Sequence, residues 1–346
     1  MSLTKENATP ENLASEMASI TSRLNIDKLS DSRQFPQYFQ IETTRHCNAH
    51  CPFCAVDEWD MSHPKMSDYL YDKIIEEVSD YSDWVRLFDV QRAGEPLLDV
   101  KIAPRIKQAK DAGLKWVTIS TNGALLDQSR GSALLEAGID EVMISIDSVE
   151  KDSYEALRVG LNFESVMANI RNFFRLRDDI RPQTRIRIRG VADFDIYAKE
   201  NNARIEKWDS VWEKLRKNID RVYYSPPHNW GNTFEWDGHK EQLNSSLDYA
   251  PCICPWSTLN VLASGKVPLC SQDTDADIVL GDINLQSIAE VWQSDAFNKI
   301  RETHSSGARN EISFCQGCKC YNPEYSLEEG HGDVDQYAVA LGSAAE

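Results

Sequence analysis

All nine cysteines of this chain fall into two sets. The first is Cys47-Asn48-Ala49-His50-Cys51-Pro52-Phe53-Cys54, a C-x3-C-x2-C run. The second comprises Cys252, Cys254, Cys270, Cys315, Cys318 and Cys320, and no cysteine lies between Cys54 and Cys252. Thiols kept at ligand spacings are there for coordination, so the fold must gather these loops around metal. Three thiolates in one short loop hold three irons of a four-iron cluster and leave the fourth iron open to another ligand. Zinc fits the first set poorly, because it takes four ligands from paired knuckles. In the second set Cys315-Gln316-Gly317-Cys318 alone would suit a zinc ribbon, so zinc stays open there. Disulfides are not expected. The chain opens on the polar Met1-Ser2-Leu3-Thr4-Lys5-Glu6 and lacks a secretory signal, which points to a reducing cytoplasm.

The 346 residues suffice for one large α/β domain with an appendage, or for two domains. A net charge of −18 argues against nucleic acid as a partner, since phosphates need a basic footprint. No apolar run reaches the roughly twenty residues of a membrane span.

Strand and helix patterns alternate from residue 38 onward. Strands are expected at Phe39–Thr44, Val85–Gln91, Trp116–Ser120, Glu141–Asp147, Arg185–Val191 and Arg221–Ser225. Helices are expected near Ser67–Tyr81, Lys101–Ala112, Gln128–Ala137, Lys151–Leu157, Phe163–Leu176 and Ala203–Lys217. Such alternation implies a parallel sheet with crossover helices, here an open partial barrel. Apolar and polar residues alternate along these strands, as in Arg185-Ile186-Arg187-Ile188-Arg189. The isoleucine face must meet the helices, so the polar face lines the interior. A closed barrel fills its interior with branched aliphatics. An interior of Glu42, Gln91, Thr118, Ser120, Ser145, Asp147, Arg187 and Arg189 would instead be a polar chamber able to hold ligands.

Ligands bind at the C-terminal ends of such strands. The cysteine loop follows the first strand, and Ala93-Gly94-Glu95-Pro96 follows the second. Ser120-Thr121-Asn122-Gly123 follows the third and Ser145-Ile146-Asp147-Ser148 the fourth. With Phe53 just before the third cysteine, this ordered set resembles the radical S-adenosylmethionine (SAM) enzymes. The resemblance implies a partial (β/α)6 TIM-like barrel and a [4Fe–4S] cluster on Cys47, Cys51 and Cys54. It also implies that SAM chelates the open iron and is cleaved to a 5'-deoxyadenosyl radical. Phe53, Gly94, Glu95, Pro96, Ser120, Asn122, Ser145 and Asp147 are then expected around SAM. Ala93 stands where the family motif has its first glycine. Arg158 or Arg189 could pair with the SAM carboxylate. A flavodoxin- or ferredoxin-type reductant would supply the electron.

The second cysteine set, with Gly265 and Cys270 in a G-x4-C element, resembles the SPASM/twitch auxiliary-cluster domains. It is shorter than the full pattern, which implies one auxiliary [4Fe–4S] cluster on Cys254, Cys270, Cys315 and Cys318. Cys252 and Cys320 are then spare, although either could replace a neighbour. The domains expected are a helical cap over 1–37, the barrel over 38–225, a linker over 226–251, the auxiliary domain over 252–322 and an acidic tail over 323–346.

The resemblance leaves several reactions open. One is a two-electron oxidation of a small carbohydrate-like substrate (a sugar, nucleotide sugar or aminocyclitol). Others are epimerisation, with Cys320 or Cys252 returning a hydrogen atom, and decarboxylation. His228 is a candidate base, and Arg187 a candidate anchor for phosphate or carboxylate. The 37 residues before the first strand are too few for the N-terminal recognition domain of peptide-modifying relatives. An iron–sulfur scaffold that never cleaves SAM is the non-enzyme alternative.

Overall fold

The computed structural model describes residues 8–191, 201–225, 249–316 and 318. His228 and Cys320 lie outside them, as do the expected linker up to residue 248 and the acidic tail.

The expected α/β architecture is present. Strands β1 (Tyr38–Ile41), β2 (Leu87–Asp89), β3 (Val117–Thr121), β4 (Glu141–Ser145), β5 (Arg185–Val191) and β6 (Arg221–Ser225) follow one another in a parallel sheet. Helices α2 (Asp68–Ser79), α3 (Ile102–Asp111), α4 (Gln128–Glu136), α5 (Lys151–Leu157), α6 (Phe163–Ile180) and α7 (Asn202–Glu213) make the crossovers. The apolar face of each strand packs under these helices. Phe39, Ile41, Phe88, Val117, Ile119, Val142, Ile144, Ile186 and Ile188 are all buried in one core. Each such side chain contributes roughly 1.5–3 kcal/mol by leaving water.

The sheet has seven strands, in the order β6-β5-β4-β3-β2-β1-β7. The seventh, β7 (Thr258–Val261), comes from the second cysteine region and pairs in parallel with β1. The C-terminal region therefore completes the barrel wall before forming its own hairpin of β8 (Lys266–Pro268) and β9 (Val279–Asp282). Glu42 fastens this junction. Its carboxylate accepts from the Ala263 amide (3.0 Å) and lies 3.5 Å from both Arg92 and Arg45.

The N-terminal helix α1 (Pro10–Arg23) reaches the same region. Ile20 and Leu24 pack with Tyr38, Ile253 and Trp256. The Trp292 indole donates to the Ser32 carbonyl at 2.8 Å. Beyond the short turn α8 (Cys254–Ser257), the C-terminal region forms two helices in succession, α9 (Ile288–Trp292) and α10 (Asp295–Ser305). Ser294 adopts extended backbone between them, and its hydroxyl accepts from the Phe297 amide, which starts a new helix.

Candidate active site

The loop after β1 brings Cys47, Cys51 and Cys54 to the wall of one chamber of about 270 Å³. Neighbouring segments hold it in place. The His50 amide donates to the Val159 carbonyl (2.9 Å), and the Asn122 side-chain amide donates to Asn48 Oδ1 (2.8 Å). Burial pushes the Cys47 thiol up to about 11 and the Cys54 thiol to about 12, and it raises Cys51 as well. Repulsion from neighbouring thiolates adds to this at Cys47 and Cys54, whereas at Cys51 the Arg158 charge offsets part of the cost of burial. Such thiols ionise only where bound cations offset that cost, so the donor set suits irons. Among the described residues no three His, Cys, Asp or Glu side chains meet at the spacing of a single ion. Ligands to a cluster each hold a different iron and need no such convergence.

Gly94 and Glu95 form the second wall. Gly94 has φ +74°, and a Cβ there would lie 2.7 Å from the carbonyl oxygens of both Thr44 and His46. Glu95 Oε1 accepts from the Leu97 amide (3.0 Å) and the Thr121 hydroxyl (2.6 Å), and Oε2 from the Asn122 amide (2.8 Å). The carboxylate thus ties the loop after β2 to the loop after β3. One acceptor position on Oε2 remains, suited to an ammonium group. Pro96 opens the short 3-10 turn that Glu95 caps. Ala93 needs no left-handed backbone here. It packs instead against Ala55 and Trp59. Gly94→Ala should push this turn off the cysteine loop and weaken SAM binding tenfold or more, by roughly 1.4 kcal/mol. Equilibrium binding to the reconstituted protein measures this, and unaltered affinity would mean the turn does not shape the site.

Arg158 sits behind the cysteine loop. Its Nε and Nη2 donate to the two oxygens of Asp147 at 2.5 and 3.0 Å. Its Nη1 lies 3.7 Å from Cys51 Sγ, and its guanidinium stacks on Phe53 at 5.3 Å. Asp147 Oδ1 also accepts from the Val191 amide at 2.7 Å. Arg158 is therefore held as a cation beside the cluster loop, with Nε and Nη2 engaged by Asp147. Arg189 reaches the chamber.

Gln91, Thr118, Ser120, Ser145, Arg187 and Arg189 line the chamber as the alternation implies. Glu42 and Asp147 do not, because both are consumed in the buried ion pairs described above. Arg187 shares Glu141 with Arg185, at 2.5 and 3.4 Å. Arg185 also stacks on Trp116 at 4.9 Å. Gln40 and Glu141, on the polar faces of their strands, also line the chamber, together with three residues that the sequence did not mark: Asp89, Asn260 and Gln272. Asp89 shares the parity of Gln91 on its strand, a signal that could have found it. Asn260 could not be found that way, because β7 was not recognised.

In the second set, Cys252, Cys254, Cys270, Cys315 and Cys318 are close enough to perturb one another. Cys252 is not remote from its neighbours: the adjacent Cys254 thiol lowers its pKa. Cys254 lines the chamber. Arg309 organises the C-terminal pair by donating to the carbonyls of Cys315 (2.9 Å) and Cys318. His304, which no sequence motif marks, is buried beside them. Burial first, and the Arg309 charge second, push it down to about 3, so it is neutral. Its Nδ1 accepts from the Cys252 amide (3.1 Å), which leaves the proton on Nε2, 3.7 Å from Cys315 Sγ. An N–H donor on a ligand sulfur favours the reduced, more negative cluster. His304→Phe should therefore shift the auxiliary midpoint potential to more negative values in an EPR-monitored titration. An unchanged potential would mean that the contact carries no electrostatic weight.

The comparisons agree with this geometry. Residues 41–181 match the Radical SAM superfamily, and residues 252–319 match the SPASM iron–sulfur cluster-binding domain. A probable GTP 3',8-cyclase of Methanococcus maripaludis strain C5 is 32% identical over 38% of this chain and 43% of its own length. The chain thus spans less than half of the curated relatives it first matches. A GTP 3',8-cyclase of Lactiplantibacillus plantarum is 27% identical over 74% of this chain and 87% of its own length. Among solved structures, BtrN in complex with AdoMet and 2-DOIA has TM-score 0.55 and 19% identity, covering 82% of this chain and 92% of that one. Streptococcus suis SuiB bound to precursor peptide SuiA has TM-score 0.61 and 15% identity, covering 88% and 75%. Their likeness is one of fold. The chain carries a radical SAM domain followed by a SPASM iron–sulfur domain, a pair of domains that indicates SAM and [4Fe–4S] clusters as its cofactors.

Proposed function

We propose that this radical SAM enzyme removes a hydrogen atom from a small polar substrate held in the chamber, and that the net reaction is a two-electron oxidation. One observation carries this reading. The chamber that receives Cys47, Cys51 and Cys54 is also walled by Cys254, Ser271 and Gln272 of the auxiliary region. A substrate there is within reach of both halves of the chemistry. When bound, one cluster supplies the electron that splits SAM to methionine and the 5'-deoxyadenosyl radical, and one auxiliary cluster supplies a sink for the electron left after a hydrogen atom and a proton have gone.

The residues of the chain do the rest. Glu95 holds the two loops that flank SAM and keeps one acceptor position for its amino group. Arg158 offsets the negative charge that thiolates bring to the Cys51 side. Cys270, Cys315 and Cys318, with Cys254 or Cys252, hold the auxiliary cluster. Arg92 donates to the Cys270 and Asp273 carbonyls (3.2 and 2.5 Å), so the segment between those residues is fixed to the barrel.

Nucleotides are the competing substrates, because the relatives above are named GTP 3',8-cyclases. The shared use of Glu141 by Arg185 and Arg187 weighs against a polyphosphate at that wall. The test is a panel of deuterated sugars, aminocyclitols, a peptide and GTP with reconstituted enzyme, SAM and dithionite. A sugar-dependent rise in 5'-deoxyadenosine, deuterium in it and a product lacking two hydrogens are expected. Turnover of GTP or the peptide alone would overturn the substrate class. A product of unchanged mass would overturn the oxidation.

A further inference from the structure

The chamber has a floor, built from barrel strands and the auxiliary region together, to which neither the SAM site nor the cluster ligands belong. Three of its residues come from adjacent strands at one register level. Gln40 of β1 pairs with Asn260 of β7 on one side and with Asp89 of β2 on the other. Gln272, from the segment that Arg92 secures, joins them in lining the chamber. Four acceptor atoms here have no hydrogen-bond partner: Gln40 Oε1, Asp89 Oδ1, Asn260 Oδ1 and Gln272 Oε1. Asn260 is only 2% exposed and Gln272 only 7%. Buried polar groups left unpaired cost about 1–3 kcal/mol each, and a fold keeps such a cluster where a ligand completes it.

Asp89 differs from the other acids of the barrel. Glu42, Glu141 and Asp147 each face an arginine, whereas Asp89 has no ion pair among the described residues. Burial above all opposes its charge; a hydrogen bond with Thr118 offsets part of this, Glu141 opposes the charge further and Arg187 relieves it least. The cation that would settle this carboxylate must come from the ligand. Two strand spacings separate Asn260 from Asp89, about 10 Å. That is the width of a six-membered ring with its substituents.

From this arrangement we infer that the floor binds a hydroxylated ring carrying a cationic amine, with the amine against Asp89 and the hydroxyls against Gln40, Asn260 and Gln272. Amides serve hydroxyls well, because each offers donors and an acceptor. The same floor repels a polyphosphate. The inference refines the substrate class proposed above and rests on that reading of the chamber.

Matched ligands test it on the reconstituted full chain with SAM bound. Glucosamine is compared with glucose, and trans-4-aminocyclohexanol with cyclohexane-1,4-diol, by calorimetric titration. The amine of each pair should bind at least tenfold tighter, as a charge-assisted contact worth roughly 1.5–3 kcal/mol allows. Asp89→Asn should remove that preference, and Asn260→Leu should weaken both members alike. Neither should change SAM affinity. Equal affinity within the pairs, no binding of either amine, tighter binding of GTP, or a preference that survives Asp89→Asn would each overturn the inference. Formation of 5'-deoxyadenosine under dithionite is measured on the same preparation. If it occurs while the preference is absent, the floor assignment fails and the radical SAM reading stands. If it is absent, the underlying reading fails.

Discussion

Cys51→Ala should reduce SAM cleavage to the level of a protein-free control. The thiol is 7% exposed in a loop fixed by Val159 and Asn122, so no other cysteine can replace it as ligand to that iron. About four of about eight irons should be lost, because the second cysteine set is built from different segments. The retained irons should keep their reduced EPR signal. Alanine is small and the site is half polar, so the fold should survive. Unchanged 5'-deoxyadenosine formation would remove the first cysteine set from the chemistry. Loss of all iron would mean that the two sets assemble as one unit.

The second large effect is expected at Arg158. The Asp147 side chain is fully buried, and Arg158 is its only cation among the described residues. Arg158→Met leaves that carboxylate buried with one amide donor, from Val191. Removing one partner of a buried pair costs about 3–5 kcal/mol. Thermal unfolding should move down by roughly 10 °C. Adding Asp147→Asn should recover part of the loss, since the unpaired charge is then gone. A midpoint within a degree or two of the parent would contradict the role given to this pair. Cluster incorporation is a second readout. A cation 3.7 Å from Cys51 Sγ helps to hold thiolates, and its loss should lower cluster affinity by about 10–100-fold.

Much of this was legible in the sequence, for physical reasons that differ between elements. The strands from Tyr38 to Ser225 show in the alternation because each has one helix-covered face and one polar face. Arg185–Val191 is bounded as the alternation implies. The cysteine loop shows because ligand spacing is set by metal chemistry rather than by packing. The seventh strand did not show. Thr258–Val261 is four residues long, lies between a cysteine turn and a glycine hairpin, and owes its place to β1 some two hundred residues earlier. Its Asn260 therefore stayed hidden, and with it half of the chamber floor. Period-2 parity placed Gln91 and Ser120 correctly in the chamber, yet it misplaced Glu42 and Asp147. Parity gives the face a side chain leaves from, while a neighbouring arginine decides where it ends. His304 carried no motif at all. Only the fold, which sets the Cys252 amide on one side of the ring and Cys315 on the other, reveals its tautomer and its role.

The most direct measurement is anaerobic reconstitution of the wild-type chain, with iron and cluster type read by Mössbauer spectroscopy and SAM cleavage followed under dithionite. About eight irons as [4Fe–4S], with 5'-deoxyadenosine formed, is the expected result. Fully loaded clusters that never cleave SAM, alone or with the panel of substrates, would contradict the proposed function and leave an iron–sulfur scaffold in its place.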